Sequence, residues 1–314
     1  MKPEEIKTRE LDQKLQRAAV LKILSSADVK RPKVEDFDGV YSTKDIAIDK
    51  EYVRTRKMRF ARDLDARSAE EADELAYLKK KSDALETLTI SLIESSNWLG
   101  GDVFTHQTTD YDDIARGVDG VLEFDPKEIG IRLGVGMDVK MILGSNPVSV
   151  EQIADAIESN ARKFRSRSTR IKYFSPEHDE EKGALDVIPV VVGLDRRSTT
   201  HIFGLITKKS QVEEKLAKDP NNKILKDALP KISKEIENSP VQEVIATEII
   251  EQLEAYRKIA EKESMDKRIV TAINKMIEII KRKLKSVQPF FDKSPNLRND
   301  LVLSMIIEES HRAL

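Results

Sequence analysis

The residues best suited to chemistry lie in one stretch, Thr109 to Gly144, which reads TDYDDIARGVDGVLEFDPKEIGIRLGVGMDVKMILG. Asp119 stands near the head of a first candidate strand, Gly117–Phe124, which continues with Val121, Leu122 and Phe124. A second candidate strand, Ile129–Leu143, is largely apolar but carries Asp138 and Lys140. Side chains two apart in a strand share a face, so Asp138 and Lys140 should point one way and Met137, Val139 and Met141 the other. An acid and an amine in an apolar strand are costly unless they are paired or used. Two converging carboxylates and a backbone carbonyl suit Mg²⁺ (or Mn²⁺), because such an ion takes hard oxygen ligands. A metal held there lowers the pKa of a bound water, and a lysine alongside can orient that water. The set fits hydrolysis of a phosphodiester.

Each residue also has a plainer reading. Asp138 and Lys140 could be a surface pair on an edge strand, worth under ~1 kcal/mol. Asp119 could simply shape the Gly117–Gly120 turn. Asp110, Asp112 and Asp113 suit a turn or short helix near Ile114, with Asp113 as a reserve ligand.

The elements that must position these residues follow from periodicity and punctuation. Pro3–Ser26 has helical spacing, and Lys30–Asp49, broken by Pro32 and Gly39, reads as a linker. Glu51–Asp65 opens strongly basic (Arg54, Arg56, Lys57, Arg59, Arg62) and reads as a solvated helix face. Ser68 to Asn97 forms one long helix with a leucine stripe, started by a Ser68/Glu71 capping box. Val103–His106 begins a strand, and Ser149–Lys163 is a helix capped by Ser149. Asp186–Leu194 is a fourth strand, where Pro189 implies an edge or a bulge. From Lys208 onward the pattern is helical, with Pro240 as a start signal and Pro289 as a stop. The apolar seams include Val244, Ile245, Ile249 and Leu253, then Ile269, Ile273, Met276 and Ile280. The expected fold is α/β, a small central mixed sheet flanked by helices. Residues 1–67 form an N-terminal helical arm and linker, 68–208 the α/β core, and 209–314 a C-terminal helical bundle.

This pattern resembles the PD-(D/E)XK nuclease superfamily, with its restriction-endonuclease-like fold. Asp119 heads one strand, and Asp138-Val139-Lys140 lies in the next. Val118 stands where the motif nominally has proline. The "NWLG" helix end followed by a short strand and "GVDGVLEF" looks like the branch of type IV restriction and resolvase-like nucleases. The likeness spans Leu85 to Leu194, about a third of the chain. It implies a metal-dependent DNA endonuclease in which Asp119 and Asp138 bind Mg²⁺ or Mn²⁺ and Lys140 positions the attacking water. It also implies a glutamate on the helix before the sheet, for which Glu86 and Glu94 are candidates. Glu86 borders the apolar stripe, in line with Ile90 and Ile93, whereas Glu94 points to solvent. Glu86 is the choice.

After the sheet's third strand comes NARKFRSRSTRIKYF, residues 160–174, with Arg162, Lys163, Arg165, Arg167, Arg170 and Lys172 and no acid. Such a run suits contacts to a phosphate backbone, or equally a solvated loop or a basic patch that binds a partner. The alternative function is a non-catalytic scaffold of the same fold, working through its C-terminal helices, whose seams would also serve a homodimer.

Composition sets the outer limits. Charged residues make up 35% of the chain, but the net charge is only −2, so nucleic-acid binding must rest on a local patch. Aromatics at 5% argue against an extended base-stacking platform. The chain has no cysteine, which removes thiolate metal sites, and His106, His178, His201 and His311 lack ligand spacing. The opening MKPEEIKTRELDQKLQ has no signal-peptide apolar run, and no segment reaches membrane-spanning length. A cytoplasmic location without membrane contact is expected.

Overall fold

The computed structural model of the protein describes residues 20, 21, 23, 24, 31–142, 147–177, 181–291 and 300–312. Most of the expected Pro3–Ser26 helix lies outside these residues, as does His178.

A 3₁₀ turn, Val34–Phe37, leads into α1, Thr43–Asp65, and α2, Ala69–Ser95. The Lys30–Asp49 linker is therefore shorter than expected: Ser42 accepts the Asp45 N–H and starts α1 there. Ser68 and Glu71 form the capping box that starts α2. The chain continues through β1 (Val103–Gln107), α3 (Asp110–Arg116), β2 (Gly120–Phe124), the single turn α4 (Pro126–Ile129) and β3 (Gly134–Met141). The first residues of the expected Ile129–Leu143 strand are thus loop, because Asp125 caps α4 and Gly130 closes it in the left-handed region. Then come α5 (Pro147–Arg165), β4 (Arg170–Phe174) and β5 (Gly183–Leu194). Helix α5 begins two residues before Ser149, so Ser149 does not cap it. The helices α6 (Arg196–Lys218), α7 (Lys223–Glu237), α8 (Val241–Lys262), α9 (Lys267–Phe291) and α10 (Leu301–Arg312) complete the described chain. Helix α9 continues past Pro289, which removes one donor without stopping it.

The fold is α/β, with a mixed five-stranded sheet in the order β1-β2-β3-β5-β4. Strands β1, β2 and β3 pair antiparallel in sequence, β3 pairs parallel with β5, and β4 closes antiparallel on β5. Strand β4 is the one the sequence reading missed. It lies inside the basic run, where Ile171 and Tyr173 are buried between more exposed Arg170 and Lys172.

Pro189 occupies a half-edge. β4 pairs only with the first residues of β5, up to Asp186. The Val187 N–H still reaches the Thr169 carbonyl at 3.2 Å, and beyond Pro189 the outward N–H groups of β5 turn to side chains of α8. Gln252 accepts the Val191 N–H at 2.8 Å and donates to the Val191 carbonyl at 2.6 Å, and Glu248 accepts the Gly193 N–H at 2.9 Å. Pro189 shares this outward side and has no N–H to satisfy.

One large buried cluster joins α2 and the sheet to the C-terminal helices, with Leu85, Leu122, Val139, Val192, Ile249 and Ile280 all in it. A second cluster packs α5 and α10 on Val191. The apolar seams of α8 and α9 are spent on this core: Ile245, Ile249, Ile273, Met276 and Ile280 are buried. Among the described residues, no helix is long and apolar enough to cross a membrane.

Candidate metal centre

Close packing of α2 on the sheet creates the site. A Cβ on Gly120 would lie 2.8 Å from Ile90 Cδ1, so only glycine lets the helix sit this near β2. One turn before Ile90 on α2 is Glu86, and one residue before Gly120 is Asp119. The short helix α3 supplies a third acid. Thr109 caps it, three aspartates favour its N-terminus, and Gly117 ends it with φ 69°. Asp112 is fully buried and accepts the N–H groups of Lys172 (2.8 Å) and Tyr173 (3.0 Å), which fixes α3 against β4. Asp113 then faces the other two acids. Carboxylate oxygens of Glu86, Asp113 and Asp119 all lie within 4.8 Å of one another.

Asp119 is held with little freedom. Its side chain accepts the Val139 N–H at 2.7 Å, and its own N–H donates to the Met137 carbonyl at 2.8 Å. Its pKa is pushed well above the usual carboxylate range, by burial first and then by Glu86, Asp138 and Asp113. Burial likewise raises Glu86 to about 7, with Arg31 pulling it down and Asp113 pushing it up.

Asp138 and Lys140 share a face of β3, as the strand period predicts, and pair at 2.7 Å. Burial raises the Asp138 carboxyl against the pull of Lys140. Burial opposes the charge on Lys140, but Asp138, Asp119 and Asp113 together raise its pKa above the usual lysine value. With Gly120 registered on Met137, Asp119 lies opposite Asp138, so Lys140, on the same face of β3 as Asp138, stands on the side that Asp119 borders.

The sequence reading grouped Glu86, Asp119 and Asp138. The tight set is instead Glu86, Asp113 and Asp119, with Asp138 adjoining and tied to Lys140. Glu94 is exposed and accepts the Thr105 N–H at 2.8 Å, outside the cluster. Asp113 was legible in part, since Asp110 and Asp113 are three apart and share a helix face. Two further participants carried no sequence signal. Gln107 donates to Glu86 at 3.4 Å. Arg31 forms ion pairs with Glu86, with Asp110 (3.0 Å) and with Asp113 (2.6 Å).

The three acids suit a divalent ion on two observations. The donors are all hard oxygens, and a cationic guanidinium already lies among them. A cleft of about 520 Å³ opens at Glu86 and Asp113, walled by Arg56, Lys57 and Phe60 of α1 and Lys79 of α2.

The six basic residues assigned to nucleic acid divide three ways. Arg162, Arg167 and Arg170 are exposed, and Arg165 reaches Glu263 at 3.1 Å. Lys163 donates to the Arg116 carbonyl at 3.1 Å at the end of α3, and its charge weakly opposes the raised pKa of Asp138. Lys172 corrects the expectation. Its amine meets Asp49 at 2.5 Å inside a pocket formed by Tyr41, Tyr111 and Tyr173, with ring centroids 5.1 to 5.5 Å away. β4 is irregular between Ile171 and Phe174, so those two side chains pack together with the sheet while Lys172 and Tyr173 both turn to Asp49, against α1 and α3.

No family model matches the chain, and no solved structure matches it. A stretch of 100 residues is 31% identical to cytochrome P450 71BT1 of Catharanthus roseus, covering 32% of this chain and 19% of that protein. The chain thus spans about a fifth of the length of the curated relative it matches. The match carries no reading of the site.

Proposed function

We propose that the protein is a metal-dependent endonuclease of the PD-(D/E)XK type that hydrolyses DNA phosphodiester bonds with Mg²⁺ or Mn²⁺. One observation carries the reading: Asp119 lies within 4.8 Å of Glu86 and Asp113, while Asp138 and Lys140 adjoin it on the next strand. Glu86, Asp113 and Asp119 would hold the ion, which supplies charge neutralisation at the scissile phosphate and a water of lowered pKa. Lys140 positions the attacking water. Asp138 holds the Lys140 amine at the site through their 2.7 Å pair. Water oxygen adds to phosphorus as one of its protons passes to solvent, the opposite bridging P–O bond breaks, and the departing oxygen takes a proton from solvent and leaves as an alcohol. Lys163 and the exposed Arg162, Arg167 and Arg170 are the proposed phosphate contacts.

The test is cleavage of supercoiled and linear DNA with Mg²⁺ or Mn²⁺ by wild type, Lys140→Ala and Asp138→Ala, with folding monitored by circular dichroism. Loss of cleavage in both folded variants is the expected result. A wild-type protein that cleaves neither substrate with either metal would exclude this reading. The rival scaffold reading draws on the C-terminal seams, and those seams are buried inside the chain itself.

A further inference from the structure

The position of Arg31 goes beyond this assignment. Its guanidinium contacts two of the three clustered acids, Glu86 and Asp113, and also Asp110. Lys57 holds the other oxygen of Asp110 at 2.5 Å. An arginine stays charged at every relevant pH and offers five donors in one plane, so it can bridge carboxylates that would otherwise repel each other. The Arg31 side chain is only 25% exposed, so its charge is largely withdrawn from water.

Anchoring keeps the arginine at this place. Three residues on, Val34 is buried, and Phe37 is buried edge-on against Tyr173 with ring centroids 5.2 Å apart. The Lys182 amine donates to the Asp36 carbonyl at 3.1 Å. The segment is thus clamped to β4 immediately after Arg31, which delivers the guanidinium to the acids at high effective concentration.

We propose that Arg31 is a built-in competitor for the divalent ion: its guanidinium occupies the cation position of the Glu86–Asp113–Asp119 cluster and must leave for the metal to bind. The inference rests on the metal-centre reading above. The two cations cannot share these acids, because each would repel the other at contact distance. Metal binding and release of Arg31 are therefore one exchange. The protein is held metal-poor until the ion outcompetes its own side chain.

The test is Mn²⁺ binding to the full-length protein, followed by titration calorimetry and by the Mn²⁺ EPR signal, without nucleic acid. Wild type, Arg31→Ala, Arg31→Lys and the double variant Arg31→Ala/Asp119→Asn are compared, with melting temperatures recorded for each. Arg31→Ala should bind Mn²⁺ at least tenfold more tightly than wild type. Arg31→Lys should fall between them, since a compact ammonium lacks the span of the guanidinium fork, which reaches Asp110 and Asp113 through one nitrogen and Glu86 through another. The double variant should lose the gain, which places the ion at the cluster. Equal affinity in wild type and Arg31→Ala, or weaker binding by Arg31→Ala, overturns the competitor role while leaving the metal centre standing. No Mn²⁺ binding by any folded variant overturns the metal centre and the competitor with it.

Discussion

The carboxylate of Asp119 accepts the backbone N–H of Val139 at 2.7 Å, so one side chain finishes the β2–β3 ladder and faces the acidic cluster. These two duties separate by substitution. Asp119→Asn keeps an oxygen acceptor for Val139, whereas Asp119→Ala leaves that buried N–H unsatisfied. Asp119→Asn should melt near wild type but lose at least about a hundredfold in cleavage. Asp119→Ala should lose, in addition, roughly 1–3 kcal/mol of stability. Urea unfolding and DNA cleavage on both variants check this. An Asp119→Asn protein that cleaves normally removes Asp119 from the reaction.

Much of this centre was legible from local rules. The two-residue period put Asp138 and Lys140 on one face, and the helical period chose Glu86 over Glu94. Two features were not legible, for different physical reasons. β4 reads as a charged run, because its Lys172 finds Asp49, Tyr41 and Tyr111, all distant in sequence. Arg31 precedes a proline in a stretch without periodicity, and only the tertiary clamp at Phe37 brings it to Glu86. Local pattern encodes the direction of a side chain within its element, whereas its partners depend on how the elements pack.

Burial raises Glu86 to about 7 from an ordinary 4.5, and Asp119 and Asp138 shift in the same direction. A carboxyl with a raised native pKa keeps its proton in the fold where the unfolded chain has lost it. The stability it contributes is full below the unfolded pKa of 4.5 and is lost as pH rises to about 7. The metal-free protein should therefore melt at progressively lower temperature between pH 5 and 8, and Glu86→Gln should flatten that fall. Metal affinity should run the opposite way, because the ion requires carboxylates in place of acids. Thermal melts in chelator across this range decide the point. Equal slopes for wild type and Glu86→Gln would mean that Glu86 is ionised throughout.

Asp138 and Lys140 should behave as a coupled pair. Removing Lys140 strands a buried carboxylate. Breaking a fully buried pair costs ~3–5 kcal/mol, but the Lys140 side chain is 38% exposed, so screening brings the expected loss down to about 1–2 kcal/mol. Asp138→Asn in the Lys140→Ala background should restore part of that stability and none of the cleavage. A double-mutant cycle by urea unfolding measures the coupling. Strictly additive losses would mean that the 2.7 Å contact contributes nothing to stability in solution.

Gln252 replaces a missing strand. Its amide carries both rungs that β5 cannot exchange with β4, at 2.8 Å and 2.6 Å on Val191, and it is 1% exposed. Gln252→Ala leaves a buried N–H and a buried carbonyl without these partners, and should cost roughly 2–4 kcal/mol. Gln252→Glu tests the direction of the bonds. A carboxylate still accepts from the Val191 N–H but has no proton for the Val191 carbonyl. Its stability should therefore fall toward the alanine value at high pH and recover at low pH, where the protonated acid donates again. Val191 also lies in the sheet one strand from Asp138, its registered neighbour on β3. Loss of the Gln252 rungs should then loosen β5 beneath the Asp138–Lys140 pair, and hydrogen exchange at Val191 and Gly193 should rise before the protein unfolds globally. If Gln252→Ala left both that exchange and the urea midpoint unchanged, α8 would be shown to rest against the sheet without completing it.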